Sequence, residues 1–79
     1  MNPEDIKTLL ATAFPDADIQ VEGDGRHFNL VIVSSQFEGL RTIKRQQMVY
    51  AALNAEIASG ALHAVNMRTF TPAELAAQA

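Results

Sequence analysis

Cysteine is absent from the chain, which excludes disulfides and any thiolate metal site built by this chain alone. Cations are scarce as well: six Lys and Arg stand against nine Asp and Glu, a formal net charge of −3. Nucleic-acid binders usually carry the opposite sign, because neutralising phosphate dominates their affinity. Such a role could rest here only on a local basic patch. The chain has no secretory h-region and no apolar run of about 18 residues, so the expectation is a cytoplasmic protein that does not span a membrane. Histidine occurs only twice, as His27 and His63.

What is present argues for a folded globule. Of the 79 residues, 48% are hydrophobic and 19% charged, well away from the composition of a disordered tail. The length predicts one domain over residues 1–79, with a modest core that buries about 60% of the unfolded chain's surface. Such a core has little capacity for unpaired polar groups.

The pattern along the chain alternates between the two regular periods. Asn2-Pro3-Glu4-Asp5 is a helix start: a capping residue, a proline where its missing N–H costs nothing, and two acids at the positive end of the dipole. Ile6, Leu9, Leu10, Ala13 and Phe14 follow as a one-sided apolar stripe, which Pro15 closes. Asp18–Glu22 alternates polar and apolar residues as a half-buried strand does. After Gly23-Asp24-Gly25, the stretch from His27 to Val33 reads as a second strand. It is apolar on both faces towards its end and is therefore predicted to be central in the sheet. The short Gly/Asp connection makes the two a hairpin. Ser35–Glu38 has capping-box spacing, but Gly39 stops it within about a turn.

A long helix is predicted from Thr42 to Ser59, with a core stripe of Ile43, Tyr50, Leu53 and Ile57 and with Gly60 as its terminator. Val65, Met67 and Thr69 then alternate with Ala64, Asn66 and Arg68 as a third strand. Thr71-Pro72-Ala73-Glu74 ends it with a strong helix start. The order is helix, strand, strand, turn-helix, helix, strand, helix. This predicts an α+β sandwich in which a three-stranded mixed sheet is covered by helices, with a crossover long enough for parallel pairing of strands two and three.

Few residues could carry chemistry. His27 and His63 each begin a strand, and parallel pairing would bring both to one edge of the sheet. Two imidazoles cannot close a tetrahedral zinc site, but they suffice for half the coordination of a metal or cluster shared with another protein, as on the histidine-ligated iron of a Rieske centre. On residue type alone, an exposed or partly buried polar role outweighs the ligand reading. Arg41, Lys44 and Arg45 share one helical face. They would suit phosphate or an acidic partner, although a solvated face is the plainer account. Gly23-Asp24-Gly25 lacks the Lys-Ser/Thr of a phosphate loop. Glu4, Asp5, Glu38 and Glu74 are accounted for as helix-start residues, and Ser34 and Ser35 have no evident activating base. Nothing reads as a catalytic set, so no enzyme is expected.

A family resemblance covers nearly the whole chain. His27-Phe28 heading an apolar strand, followed by Val33-Ser34-Ser35-Gln36-Phe37-Glu38-Gly39-Leu40, resembles the strand-to-turn block of the BolA-like family. Arg45 with Val49-Tyr50-Ala51-Ala52-Leu53 is similar to that family's long-helix pattern. His63-Ala64-Val65 with Thr69-Phe70-Thr71-Pro72-Ala73-Glu74 resembles its ending. Asp24-Gly25-Arg26-His27-Phe28 in a cysteine-free chain looks most like the IbaG branch, associated with acid-stress resistance.

The resemblance implies a fold similar to a type II KH domain. It also implies a monothiol glutaredoxin partner with a Cys-Gly-Phe-Ser site, with which the protein would bridge a [2Fe–2S] cluster. Glutaredoxin and its glutathione would supply sulfur, and His63 the main imidazole. The second ligand would come from the loop between strands one and two, where His27 is the candidate. The implied function is a non-enzymatic adaptor in iron–sulfur assembly or trafficking, linked to iron homeostasis, with weak homodimerisation also in view.

The alternative is a nucleic-acid-binding transcriptional regulator using Arg41, Lys44 and Arg45 and the helix-turn-helix-like segment around Gly39. The Gly-X-X-Gly loop of RNA-binding KH domains is missing. Two departures from the family pattern stand out: Arg45-Gln46-Gln47 stands where the family often has Arg-His-Arg, which loses one basic residue and a possible polar contact, and Leu75 replaces a tryptophan, with apolar packing expected to remain.

Overall fold

The structure is a computed structural model that describes residues 1–25 and 27–78; Arg26, quoted in the hairpin motif, lies outside them. Helix α1 (Pro3–Ala13) begins on a reciprocal capping box, in which Asn2 Oδ1 accepts from the Asp5 N–H at 3.0 Å and Asp5 Oδ2 accepts from the Asn2 N–H at 3.1 Å. Strands β1 (Asp18–Gly23) and β2 (His27–Val33) pair antiparallel, and β3 (Ala64–Phe70) pairs parallel with β2, so β2 is central in the order β1-β2-β3. The predicted mixed sheet covered by helices is therefore the observed fold, and the two-faced apolar end of β2 marked its central place correctly.

The core lies on one face of the sheet. Alternate β2 residues Phe28, Leu30 and Ile32 are buried and pack with Ile6, Leu10 and Phe14 from the first helix. On the opposite face His27 and Asn29 are exposed, as are Asn66 and Arg68 of β3. Asn66 Nδ2 donates to Asn29 Oδ1 across the strands at 3.3 Å. Among the described residues, no helix is long and apolar enough to cross a membrane.

The crossover departs from expectation at three points. The single helix predicted over Thr42–Ser59 is two, α2 (Thr42–Ala52) and α3 (Asn54–Ala58). They are divided at Leu53, which has φ −107° and ψ 8° and shares its N–H between the Val49 and Tyr50 carbonyls, a tightened helix end. Gly60 then leaves the helical region with φ +81°, where a side chain would be strained.

The predicted stripe is also mostly wrong. Leu53 is buried, but Ile43, Tyr50 and Ile57 are 62%, 44% and 39% exposed. The inward face is Arg45, Val49 and Leu53. The two candidate faces share Leu53 and are turned roughly a quarter-circle from one another, so periodicity alone does not choose between them; the partner waiting for Arg45 does. Lastly, the turn at Ser35–Phe37 is a 3-10 helix capped one residue earlier than expected, by Ser34, whose Oγ accepts from the Gln36 N–H at 3.1 Å.

That partner is Glu74, at the start of α4 (Pro72–Gln78). Arg45 Nη1 and Nη2 donate to the two Glu74 carboxylate oxygens at 2.5 and 3.0 Å, Nε donates to the Leu40 carbonyl at 2.9 Å, and Nη1 reaches the Thr69 carbonyl at 3.4 Å. The guanidinium also lies over the Phe37 ring, 5.8 Å from its centroid. Glu74 completes a capping box with Thr71: Oε1 accepts from the Thr71 N–H at 2.9 Å and the Glu74 N–H donates to Thr71 Oγ1 at 3.1 Å. The residue assigned as a helix starter is thus an ion-pair partner too. Leu75, in contrast, is 41% exposed, so the apolar packing expected of it is realised only in part.

A second carboxylate ties the same end of the sheet. Asp16, before β1, accepts from Ser35 Oγ at 2.6 Å, from the Ser35 N–H at 3.1 Å, from Gln36 Nε2 at 3.0 Å and from buried Ser34 Oγ at 3.2 Å. These donors, Ser35 Oγ first and Gln36 next, lower the Asp16 pKa to about 2. The Arg45 fork, followed by the Thr71 amide, lowers that of Glu74 to about 2.

Two outcomes are expected. Both folded carboxylates titrate below their ordinary values of 3.8 and 4.5, so the unfolded chain takes up protons first as pH falls. The stability they contribute is complete above about pH 4.5 and is lost towards about pH 2. Urea unfolding across that window should show a falling midpoint, and Glu74→Gln and Asp16→Asn should each flatten the profile. An unchanged slope in both variants would remove these groups as its source. Arg45→Ala, measured at neutral pH, is expected to cost roughly 3 kcal/mol. Arg45→Lys should rescue little of this, because an ammonium cannot make the planar fork.

Candidate functional site

The parallel register decides where the histidines stand. His27 pairs with Ala64, the first residue of β3, so His63 lies one residue before that pair, at the adjoining strand entrance. Neighbouring strands run about 4.8 Å apart. Both histidines are exposed, so both predicted ligands come to the same edge of the sheet.

Each is held by a buried neighbour. Phe28, next to His27, is 0% exposed, and Leu62, next to His63, is 2% exposed. Leu62 also donates its N–H to the Glu56 carbonyl at 3.1 Å, which fixes the approach to His63 from α3. On the other strand, the Asp24 N–H donates to the His27 carbonyl at 3.3 Å, and Asp24 Oδ1 accepts from the His27 N–H at 2.9 Å. The hairpin thus closes on His27 itself. Asp24 Oδ2 lies 3.9 Å from His27 Nδ1.

Gly23 sets how tightly that hairpin closes. It pairs with Phe28, and a Cβ built on it would stand 2.6 Å from the His27 carbonyl oxygen and run into the Phe28 ring. Only glycine permits this approach of the two strands.

The donor set is too small for a self-contained metal site. Among the described residues, no group of three or more His, Cys, Asp or Glu could hold a metal ion. Two accessible imidazoles at one edge fit half the coordination of a cluster whose sulfur ligands come from another protein. His63 and His27 would hold it from this side.

The three cations considered for nucleic acid separate. Arg41 and Lys44 are exposed, whereas Arg45 is 7% exposed and its guanidinium is committed to Glu74 and two carbonyls. The exposed basic surface on this helix is reduced to two residues.

Asp24 and Leu62 were not singled out from the sequence as site residues. Asp24 reads from the sequence only as turn chemistry, and nothing in Gly23-Asp24-Gly25 hints that its carboxylate reaches His27. Leu62 carried no signal apart from its adjacency to His63.

Comparison with known proteins agrees with this architecture. A family model described as BolA-like protein matches residues 8–74. A protein of Acinetobacter guillouiae from the rpoN-murA intergenic region is 51% identical over 74 residues, covering 94% of this chain and 89% of its own. The acid stress protein IbaG of Escherichia coli K12 is 38% identical over 76 residues, covering 96% and 90%. The solved structure of a bolA protein homologue from Coxiella burnetii superposes with a TM-score of 0.85 at 34% identity, over 96% of this chain and 97% of that one.

Gly23→Ala should force the hairpin apart at His27. An overpacking cost of about 1–3 kcal/mol is expected, together with amide NMR shifts concentrated at residues 23–28. A variant with wild-type stability and an unmoved His27 amide would show that the close approach is not needed.

Proposed function

The chain belongs to the BolA-like family, and on that premise we propose that it is a non-enzymatic adaptor in iron–sulfur assembly or trafficking. It binds a monothiol glutaredoxin and takes part in holding a [2Fe–2S] cluster between the two proteins. The observation that carries this reading is the pair of exposed imidazoles, His63 and His27, at one edge of the parallel β2–β3 pair.

The cluster is cargo in this scheme. His63 gives the main imidazole nitrogen and His27 the second; thiolate ligands come from the glutaredoxin and the glutathione it carries, since this chain has no cysteine. The protein's own contribution is to hold two neutral imidazoles at the entrances of adjoining strands, each braced by a buried residue. Neutral imidazole is the ligating form, so acid competes with the iron for these nitrogens. This offers a physical route between the cluster and acid stress, the property for which the Escherichia coli relative is named.

The nucleic-acid reading has less to rest on. With Arg45 turned inward, Arg41 and Lys44 remain on a chain of net charge −3, a poor basis for an affinity built on phosphate neutralisation.

The test is visible absorption and CD of the chain mixed with a cluster-loaded monothiol glutaredoxin. A changed spectrum on mixing is expected, together with iron and acid-labile sulfide in the purified heterodimer. His63→Ala should return the spectrum to that of the glutaredoxin alone, and His27→Ala should alter it in part. A spectrum indifferent to His63→Ala would end the ligand assignment, and the absence of any complex would end the adaptor reading.

A further inference from the structure

We propose that the outer side of α2 and α3 is a further docking surface, built on Ile43, Tyr50 and Ile57. Its occupant is an amphipathic helix of a partner protein, with acidic residues beside the apolar seam. The proposal goes beyond the cluster-binding edge and does not rest on the ligand assignments.

Four large apolar side chains are exposed among the described residues: Ile43, Tyr50, Ile57 and Leu75. Single exposed apolar residues need no explanation, but three of these four recur at intervals of seven along one crossover. The break at Leu53 does not scatter them. The Leu53 N–H still donates to the Val49 carbonyl at 3.2 Å, and the Leu53 carbonyl accepts from the Ile57 N–H at 3.0 Å, so helical bonding runs through the break. Seven residues of α-helix fall about 20° short of two full turns. The three side chains therefore lie along one gently drifting line, about 20 Å long.

Folding leaves this line unused. The inward face of α2 is Arg45, Val49 and Leu53, so the sheet is packed by other residues. A seven-residue apolar repeat is the seam along which one helix receives another, and helix recognition uses anchors at such intervals. The spacing specifies a helical occupant.

Charge specifies the occupant's flank. Helix α2 contains no acidic residue, in a chain where acids outnumber cations nine to six. Arg41 and Lys44 bracket Ile43 and are exposed, and among the described residues neither enters an ion pair. Both stand at the positive end of the helix dipole, where a cation is mildly unfavourable, so the stability of α2 does not account for them. Carboxylates on an incoming helix would answer both. A second copy laid alongside in parallel would set these cations against their own counterparts, and its α2 brings no acid to them.

The test titrates the full chain with synthetic helical peptides of about 20 residues, apolar at heptad a and d positions. One peptide is flanked by glutamate and the control by lysine, and 1H–15N NMR reads the site. The glutamate peptide should shift the amides of Ile43, Gln47, Tyr50 and Ile57. It should bind about tenfold tighter than the lysine peptide, a difference that collapses at about 1 M salt. Ile43→Ser should lose this binding with the urea midpoint unchanged, Lys44→Glu should erase the preference between peptides, and His63→Ala should change neither.

Peptides bound equally well, or not at all, would overturn the proposal. The same shifts on adding duplex DNA would overturn it too, as would a dimer of the free chain in sedimentation that Ile43→Ser dissolves: a nucleic acid or a second copy would then own the surface. Loss of the glutaredoxin heterodimer in Ile43→Ser would overturn it by making the line part of that interface, while leaving the histidine assignments to be judged by His63→Ala and His27→Ala.

Discussion

One buried guanidinium joins most of this small fold. Among the described residues, Arg45 is the only charged one that is buried, and its donors reach the segment before α2, the end of β3 and the first turn of α4. Burying a charge is costly unless its partners are well placed. Here a bidentate carboxylate, two carbonyls and an aromatic face receive it. The consequence is directional: α2 can present only one face to the sheet, and α4 can start only where Glu74 meets both Arg45 and Thr71. Once these are set, the end of β3 is fixed, and with it the parallel register that runs back to His27 and Ala64.

This constraint also explains what the sequence did and did not reveal. Strand limits, hairpin, crossover and helix caps were legible because each depends on residues within a few positions of one another: Asn2 with Asp5, Thr71 with Glu74, Asp18–Glu22 against His27–Val33. The inward face of α2 was not. Ile43, Tyr50 and Ile57 recur every seven residues and look like a core stripe, while the true face is headed by a cation that hydropathy counts against burial. Only the pairing of Arg45 with Glu74, 29 positions away, reverses that assignment, and no local pattern encodes such a pairing. The same holds for the candidate site. That two histidines begin strands was visible; that one hairpin carboxylate stands against His27 and a buried leucine braces His63 required the fold.

The family resemblance takes on a physical meaning in this light. Two of the stretches that carry it, the helix pattern beginning at Arg45 and the ending that includes Glu74, are the two sides of a single ion pair. The block beginning at Val33 supplies Ser34 and Ser35, which meet Asp16, and Phe37, over which Arg45 lies. These motif residues therefore report chiefly on how the chain is held together. The same ending opens at His63, which is exposed and takes no part in the bonds that hold the Phe70 end of β3. Those ties do not account for its presence, and that is an argument for function.

The two ends of β3 consequently have different chemistry. At the Phe70 end, the Ser35 hydroxyl and Gln36 amide around Asp16 and the Arg45 guanidinium around Glu74 lower both carboxylate pKa values to about 2 and keep the sheet anchored well into acid. At the Ala64 end stand two exposed imidazoles, and none of the bonds that anchor the Phe70 end involves them. The two ends of the strand are therefore built independently: either histidine can be replaced without touching the Arg45–Glu74 fork or the donors around Asp16. On the proposed reading, that separation lets cargo come and go at one end while the other end holds the fold.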